Sequence, residues 1–527
     1  MAEPWTSPLP WAGHQLGLAR WSALRWGWKA GDPDWPSALA LLAFAEDEGH
    51  TALDWNSASE LWDRRFAGGP APISFSLPPP ELWPAELFSE GWLNRRENGH
   101  FDLIQTARNA QLENRLTASL SALAASSPTM TAYGQQAAVD RAGVVKLLLL
   151  VGGPGTGKTT TLKHLVERWT ARHPGLRSVI AAPTGRAAAR VRQSFLDAPV
   201  IPQCVTLHKL IGLRPGLGAP WHGPHRPIPF DLVIVDEASM LDLRTAVALT
   251  DALSPGTALI LVGDPGQLPS VEAGSVLSDL LKRPEFSSST IHLVERFRLA
   301  EQSRTLAQVF DLLQGPPSDL PSLVDQLIRL GNGSAPDFRW EVTGEEDPGP
   351  RALAAWGSAH GLTPASLNQR ILLSPVHRGP GGTEELGALA DRSLGRLPGT
   401  VADGLPWMIV RNLPHLELFN GDRGLVVRDQ GRLWFETPDQ PGRRWPFSLV
   451  SEDGQGAWAV SVHKSQGSEF DRVVLVLPPK GSQGIVRELI YTGLTRARTS
   501  AVLVGSVESL TKALSQGVNR QSGLSSY

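Results

Sequence analysis

Two short stretches hold the residue types that could do chemistry. The first is Gly152-Gly153-Pro154-Gly155-Thr156-Gly157-Lys158-Thr159, which follows an apolar run and precedes a helical pattern over residues 160–172. Glycines let a backbone close around phosphates so that its N–H groups face the charge. Lys158 can then reach the β and γ phosphates of a nucleotide, and the Thr159 hydroxyl can ligate Mg²⁺. An ordinary strand-to-helix turn would explain the glycines but not Lys158-Thr159. The second stretch is Leu232-Val233-Ile234-Val235 running into Asp236-Glu237. Asp236 suits Mg²⁺, usually held through water, and Glu237 suits orienting and deprotonating an attacking water. Adjacent acids end many strands. Downstream of a phosphate loop they point to hydrolysis of a nucleoside triphosphate.

Such groups need a scaffold that presents strand ends. Apolar runs at 147–151, 178–182, 232–235 and 258–262 each stop at a polar or glycine-rich cluster, with helical patterns between them. That is the pattern of a doubly wound α/β domain with a parallel sheet, whose ligands sit at the carboxyl ends of the strands. A Gly/Pro-rich loop covers 212–229. A second α/β block begins near Ile371 and resumes at 472–477 and 501–504. Between them, 400–457 reads as short strands and turns. There, 425–427 and 433–435 flank Asp429-Gln430-Gly431 as a hairpin, which suggests a small inserted β-barrel. Residues 1–128 are rich in Trp, Leu, Ala and Pro, with helical patterns at 36–49 and 107–125 and a Pro-rich connection at 70–84. They contain no catalytic cluster, and their Trp residues suit either an interface or a core.

Bulk properties set limits. A chain of 527 residues is too long for one core, and 41% hydrophobic with 19% charged residues fits globular domains. The net charge of −3 gives no general affinity for nucleic acid, so DNA contacts must come from local basic grooves. The single cysteine, Cys204, can form neither an intrachain disulfide nor a zinc site by itself, which fits a reducing compartment. No signal-peptide pattern follows Met1, and the apolar run 144–151, interrupted by Lys146, is too short to span a bilayer. The expectation is a cytoplasmic protein with no membrane contact.

Further motifs occur in a fixed order. They are Gln135 in Gly134-Gln135-Gln136-Ala137-Ala138-Val139; Ala182-Pro183-Thr184-Gly185-Arg186-Ala187-Ala188; Thr206-Leu207-His208-Lys209-Leu210; Gly263-Asp264-Pro265-Gly266-Gln267-Leu268-Pro269-Ser270; Phe297-Arg298; Val462-His463-Lys464-Ser465-Gln466-Gly467-Ser468-Glu469-Phe470; and Tyr491-Thr492-Gly493-Leu494-Thr495-Arg496-Ala497-Arg498. Over roughly 130–510 this set resembles the superfamily 1 helicases. The forms at Pro183–Ala188 and His463–Gly467, with Phe419-Asn420-Gly421-Asp422-Arg423-Gly424, resemble their RecD branch. Gly49-His50-Thr51-Ala52-Leu53-Asp54 and 113–123 extend that likeness to the N-terminal segment. Leu386-Gly387 departs from it, since Leu-Asn is expected there.

The resemblance implies an ATP-dependent DNA helicase moving 5′ to 3′, with ATP and Mg²⁺ as cofactors. It implies two RecA-like domains, 129–315 and 316–399 with 458–527, an SH3-like barrel at 400–457, and a mainly helical partner-binding domain at 1–128. It assigns Gln135 to adenine and Glu469 to the ribose. Gln267 becomes the γ-phosphate sensor, and Arg298 and Arg496 become γ-phosphate contacts, with Arg296 an alternative to Arg298. Pro183, Thr184, Gly185, Arg186, Thr206, His208, Lys209, His463, Ser465 and Gln466 are assigned to single-stranded DNA, although the threonines could equally cap helices. The implied partners are RecB-like and RecC-like subunits in a heterotrimer. A free-standing helicase of the same branch and a structural subunit with a silent motor are the alternatives. The length expected of a free-standing enzyme disfavours the first, and the intact Lys158, Asp236, Glu237 and Arg496 disfavour the second.

Overall fold

The structure is a computed structural model that describes residues 12–29, 32–66, 77–98, 101–127, 134–141, 143–214, 219–295, 303–314, 319–333, 335–344, 347–479, 485–518 and 520–525. The N-terminal region packs helices Gly13–Arg25, Trp35–Asp47 and Ala58–Phe66 beside a three-stranded antiparallel sheet. Its strands are β1 (Leu53–Asp54), β2 (Leu93–Asn98) and β3 (Phe101–Thr106), in the order β1-β3-β2. The helix Ala107–Ala125 then leaves this region, and Leu116 and Leu120 join the core of the next one.

The first lobe is a six-stranded parallel sheet. It contains β4 (Leu147–Gly152), β5 (Ser178–Ala182), β6 (Gln203–Thr206), β7 (Leu232–Val235), β8 (Ala258–Gly263) and β9 (Thr290–Leu293), in the order β6-β5-β7-β8-β4-β9. Its central strands are continuous apolar runs because both faces are covered. Leu147, Leu149 and Val151 enter one core, and Leu148 and Leu150 the other. The order jumps from β8 to β4, so the ends of β4, β7 and β8 open onto one crevice.

The second lobe is a five-stranded parallel sheet of β10 (Phe338–Val342), β11 (Arg370–Ser374), β17 (Ala459–Ser461), β18 (Phe470–Val476) and β19 (Ala497–Gly505), in the order β10-β19-β18-β11-β17. Alternate residues of β18 again serve opposite cores, Val473 and Leu475 on one side, Val474 and Val476 on the other. The helix Arg304–Gln314 packs into this lobe through Leu306, Val309 and Phe310. Between β11 and β17 the chain forms an antiparallel sheet of β12 (Pro406–Ile409), β13 (Arg423–Asp429), β14 (Arg432–Glu436), β15 (Arg444–Pro446) and β16 (Gly454–Gly456), ordered β15-β14-β13-β12-β16. Gln430 and Gly431 both have positive φ, 46° and 77°, the two-residue turn that matches strand twist in a hairpin.

After the helix Val507–Ser515 the chain returns to the first lobe and the N-terminal region, where Arg520 donates to the carbonyls of Glu272 (3.0 Å) and Gly274 (3.1 Å). The Gln521 carbonyl accepts from the N–H groups of Thr51 (3.1 Å) and Ala52 (3.3 Å), and the Gln521 N–H donates to His50 Nδ1 at 3.0 Å. The buried Glu113 carboxylate accepts from the Thr51 hydroxyl (2.5 Å), the Ser522 hydroxyl (3.2 Å) and the Gly523 N–H (3.1 Å). Leu524 sits in the first lobe's core. Among the described residues, no helix is long and apolar enough to cross a membrane.

Candidate active site

The loop after β4 turns directly into the helix Lys158–Arg172. Gly155 and Gly157 have φ of 74° and 79°, a region where a side chain would strain the backbone. These two glycines therefore set the path of the loop. The helix behind it brings unpaired N–H groups and a partial positive charge to the loop. Lys158 Nζ donates to the carbonyls of Gly152 (2.6 Å) and Gly153 (2.9 Å), and the Thr156 hydroxyl donates to Gly153 (2.9 Å). Gln135, from the helix Gly134–Arg141, donates to the Thr156 carbonyl at 3.1 Å and so braces the loop from outside. Pro154 and Thr159 line the same cleft.

Asp236 and Glu237 follow β7. Glu237 has φ of 54°, the left-handed region that a non-glycine residue occupies only at a cost. Burial pushes the Asp236 carboxyl above its usual range, as does the adjacent Glu237 charge; the Glu237 N–H, Arg190 and Lys158 act against them.

Beyond β8, Gln267 is buried. Its Nε2 donates to Asp264 at 3.1 Å, and its Oε1 accepts from Arg496 Nη2 at 2.7 Å. Arg496 is only 3% exposed, and it also donates to the carbonyls of Thr492 (3.0 Å) and Ser468 (3.4 Å). The Tyr491 hydroxyl donates to Asp264 at 3.0 Å, and Gln314 donates to that hydroxyl. Leu268 lies in the second lobe's core, and its N–H donates to the Thr492 hydroxyl at 2.9 Å. The loop carrying Gln267 is thus bonded to both lobes. Lys158, Thr159, Asp236, Glu237 and Gln267 from one lobe and Glu469 and Arg496 from the other line one cleft of about 870 Å³, part of it open to solvent. Arg298 lies outside the described residues, as do Arg296 and Phe297.

The residues expected to grip DNA are more scattered. Thr184 caps the helix Gly185–Ser194 and Thr206 caps Leu207–Ile211, so both hydroxyls are engaged at helix starts. Arg186 reaches the inserted antiparallel sheet. It donates to the Gly421 carbonyl at 2.8 Å and lies 3.9 Å from Asp439. Pro183 and Gly185 are partly exposed, with Gly185 packed against Phe419. His208, Lys209 and His463 are exposed. Ser465 and Gln466 are buried, bonded to the carbonyls of Val462 (2.7 Å) and Leu268 (3.4 Å).

Sequence reading passed over Arg190, which lines the cleft and pairs with Glu469 across the lobes, and the Tyr491–Asp264 contact. Arg190 had a signal. It follows Arg186 by one helical turn, so the two share a face of the helix that starts at the end of β5.

Comparison with known proteins agrees with this layout. Residues 135–273 match the AAA domain family, and 456–504 match the UvrD-like helicase C-terminal domain family. The chain is 31% identical over 522 residues to the RecBCD enzyme subunit RecD of Mycobacterium tuberculosis H37Rv, covering 92% of this chain and 87% of that one. It is 33% identical over 440 residues to the RecBCD enzyme subunit RecD of Mycolicibacterium smegmatis, covering 74% of each. Against the ATP-dependent RecD2 DNA helicase of Deinococcus radiodurans identity is 32% over 387 residues, 71% of this chain and 48% of that protein. On this similarity, carried through most of its length and over both lobes, the chain belongs to the RecD family of ATP-dependent DNA helicases.

Proposed function

We propose that this chain is the 5′-to-3′ helicase subunit of a RecBCD-type exodeoxyribonuclease V. In that role it moves along the 5′-ended single strand at a duplex terminus, beside RecB-like and RecC-like subunits in the cytoplasm, and serves double-strand break repair by recombination. The observation that carries this is the cleft in which a phosphate loop and paired acids from one parallel sheet face Arg496 and Glu469 from another. The names of the mycobacterial relatives support the assembly. Cutting of DNA would belong to the complex.

In this reading Lys158 binds the β and γ phosphates, Gln135 reads adenine, and Glu469 holds the ribose. Glu237 orients and deprotonates water, and Arg298 and Arg496 neutralise charge developing on the γ-phosphoryl group. Asp236 and the Thr159 hydroxyl would hold Mg²⁺. Among the described residues there is no cluster of three or more His, Cys, Asp or Glu side chains fit for a metal. Two protein oxygens suit an ion that completes its shell with phosphates and water. When bound, the ion supplies charge neutralisation at the phosphates. Gln267 links the γ-phosphate to lobe movement, because its loop is anchored in the second lobe by Leu268 and Thr492. Alternating closure and reopening would move DNA held by Thr184, Arg186, Lys209 and the neighbouring candidates. The domain limits follow the sequence reading, with 1–128 binding partners and 400–457 as an SH3-like barrel.

The test is unwinding of duplexes with 5′ or 3′ single-stranded tails, by wild type and Lys158→Ala, alone and with co-expressed RecB-like and RecC-like chains. A 5′-tail preference that is lost in Lys158→Ala and needs the partners is expected. A 3′-tail preference refutes the polarity. Full activity of the isolated chain favours a free-standing helicase.

A further inference from the structure

Arg190 has no role in the scheme above, yet it occupies the cleft. It stands on the helix Gly185–Ser194 of the first lobe and lines the cavity with Lys158, Asp236 and Glu237. Its guanidinium pairs with Oε1 of Glu469, while Oε2 of Glu469 accepts from Arg498 Nε at 3.3 Å. The Arg190 and Glu469 side chains are 33% and 21% exposed, so the pair is partly shielded from water. Burial alone would lower the pKa of Arg190. The negative fields of Glu469, Glu237 and Asp236 outweigh it, so the guanidinium stays charged beside three carboxylates.

That arrangement poses an electrostatic problem for a polyphosphate. It must enter a cavity whose acidic side is Asp236, Glu237 and Glu469, and Arg190 is the cation set among them. Arg496 already donates to Gln267, Thr492 and Ser468, and Lys158 Nζ already donates to the Gly152 and Gly153 carbonyls of the glycine loop. A planar guanidinium suits two oxygens at once, whether of a carboxylate or of a phosphoryl group. Glu469 is also the residue that the proposed function gives to the ribose. We infer that Arg190 is a terminal-phosphate contact supplied by the first lobe, and that it exchanges Glu469 for the γ-phosphate as Glu469 turns to the ribose. A diphosphate has no γ-phosphate to take the place of Glu469, and the Arg190–Glu469 pair across the lobes is retained. Arg190 thereby discriminates ATP from ADP.

The inference rests on reading this cleft as the ATP site, and the test separates the two. Isothermal titration calorimetry of the full chain measures binding of AMPPNP and of ADP to wild type, Arg190→Gln, Arg190→Lys and Lys158→Ala. Arg190→Gln should weaken AMPPNP by about tenfold or more, the scale of a lost charge-assisted hydrogen bond, and ADP by less than about threefold. Arg190→Lys keeps a point charge without the fork, and should lower the AMPPNP-to-ADP affinity ratio by a smaller factor. An unchanged ratio in Arg190→Gln, or in Arg190→Lys should the glutamine variant not fold, overturns the role of Arg190. Unaltered binding of both nucleotides by Lys158→Ala overturns the ATP site itself. A merely structural Arg190 would weaken both nucleotides alike.

Discussion

Replacing Arg496 by alanine probes the cleft from its far side. The side chain is 3% exposed, and its bonds go to Gln267 Oε1 at 2.7 Å and to the carbonyls of Thr492 and Ser468. Two effects should follow. An arginine that stabilises a transferring phosphoryl group contributes roughly 10³- to 10⁵-fold in related enzymes, or about 4–7 kcal/mol of barrier. The truncation also strips donors from acceptors in a buried setting. The Thr492 carbonyl keeps the Thr495 hydroxyl at 3.0 Å, which leaves Gln267 Oε1 and the Ser468 carbonyl as the groups that lose most. Each orphaned acceptor costs about 1–3 kcal/mol unless water fills the space. The two effects overlap in size and are told apart by their readouts, since the catalytic loss should appear in turnover and not in ADP affinity, and the loss of stability in melting. The assay is steady-state ATP hydrolysis with a saturating single-stranded oligonucleotide, alongside thermal melting and ADP calorimetry. We expect kcat to fall about 10³-fold or more in a protein that remains folded. A fall of less than about tenfold, near 1.4 kcal/mol, would refute the assignment of Arg496 to the reaction.

Two other outcomes are expected. Arg186→Ala removes a guanidinium poised between the first lobe and the inserted sheet, so it should weaken single-stranded DNA binding. In fluorescence anisotropy the slope of log affinity against log salt should flatten by about 0.7, one phosphate contact, and an unchanged slope would remove Arg186 from the interface. Burial pushes the Asp422 carboxyl from 3.8 up to about 6, partly offset by the Phe419 N–H and by Arg186. The folded protein therefore binds the extra proton between about pH 4 and pH 6, so this group costs stability progressively as pH rises through that window. Asp422→Asn should stabilise at pH 8 by at most about 3 kcal/mol and give no gain at pH 4, as checked by melting at the two pH values.

The central strands of both sheets were readable because burial on two faces forces unbroken apolar runs, as at Leu232–Val235, where all four residues are buried. The edge strands were not. At β6, Gln203 is exposed and the strand is four residues long; β9 and β10 alternate apolar with polar positions because one side meets solvent. The three-stranded N-terminal sheet escaped for a similar reason, since Asn94, Arg95 and Arg96 give β2 no apolar run. The phosphate loop and the Asp236-Glu237 pair were legible because their function constrains consecutive residues. The Arg190–Glu469 and Tyr491–Asp264 contacts join positions hundreds of residues apart, and local spacing cannot reveal which of many surface arginines meets which acid.

The return of residues 520–525 to the N-terminal region also orders events in time. Glu113 and its partner Gly523 are 410 residues apart. At ordinary synthesis rates the acceptor emerges roughly 20 to 80 s before its donor. During that interval a carboxylate destined for the interior stays hydrated, and the crevice around Thr51 and Ala52 lacks its closing strand of backbone. Contacts of such long sequence separation carry a large loop-closure cost and form late. The nascent chain must therefore carry an incomplete module around Thr51 and Glu113 while both motor lobes are being made, sealing it only afterwards.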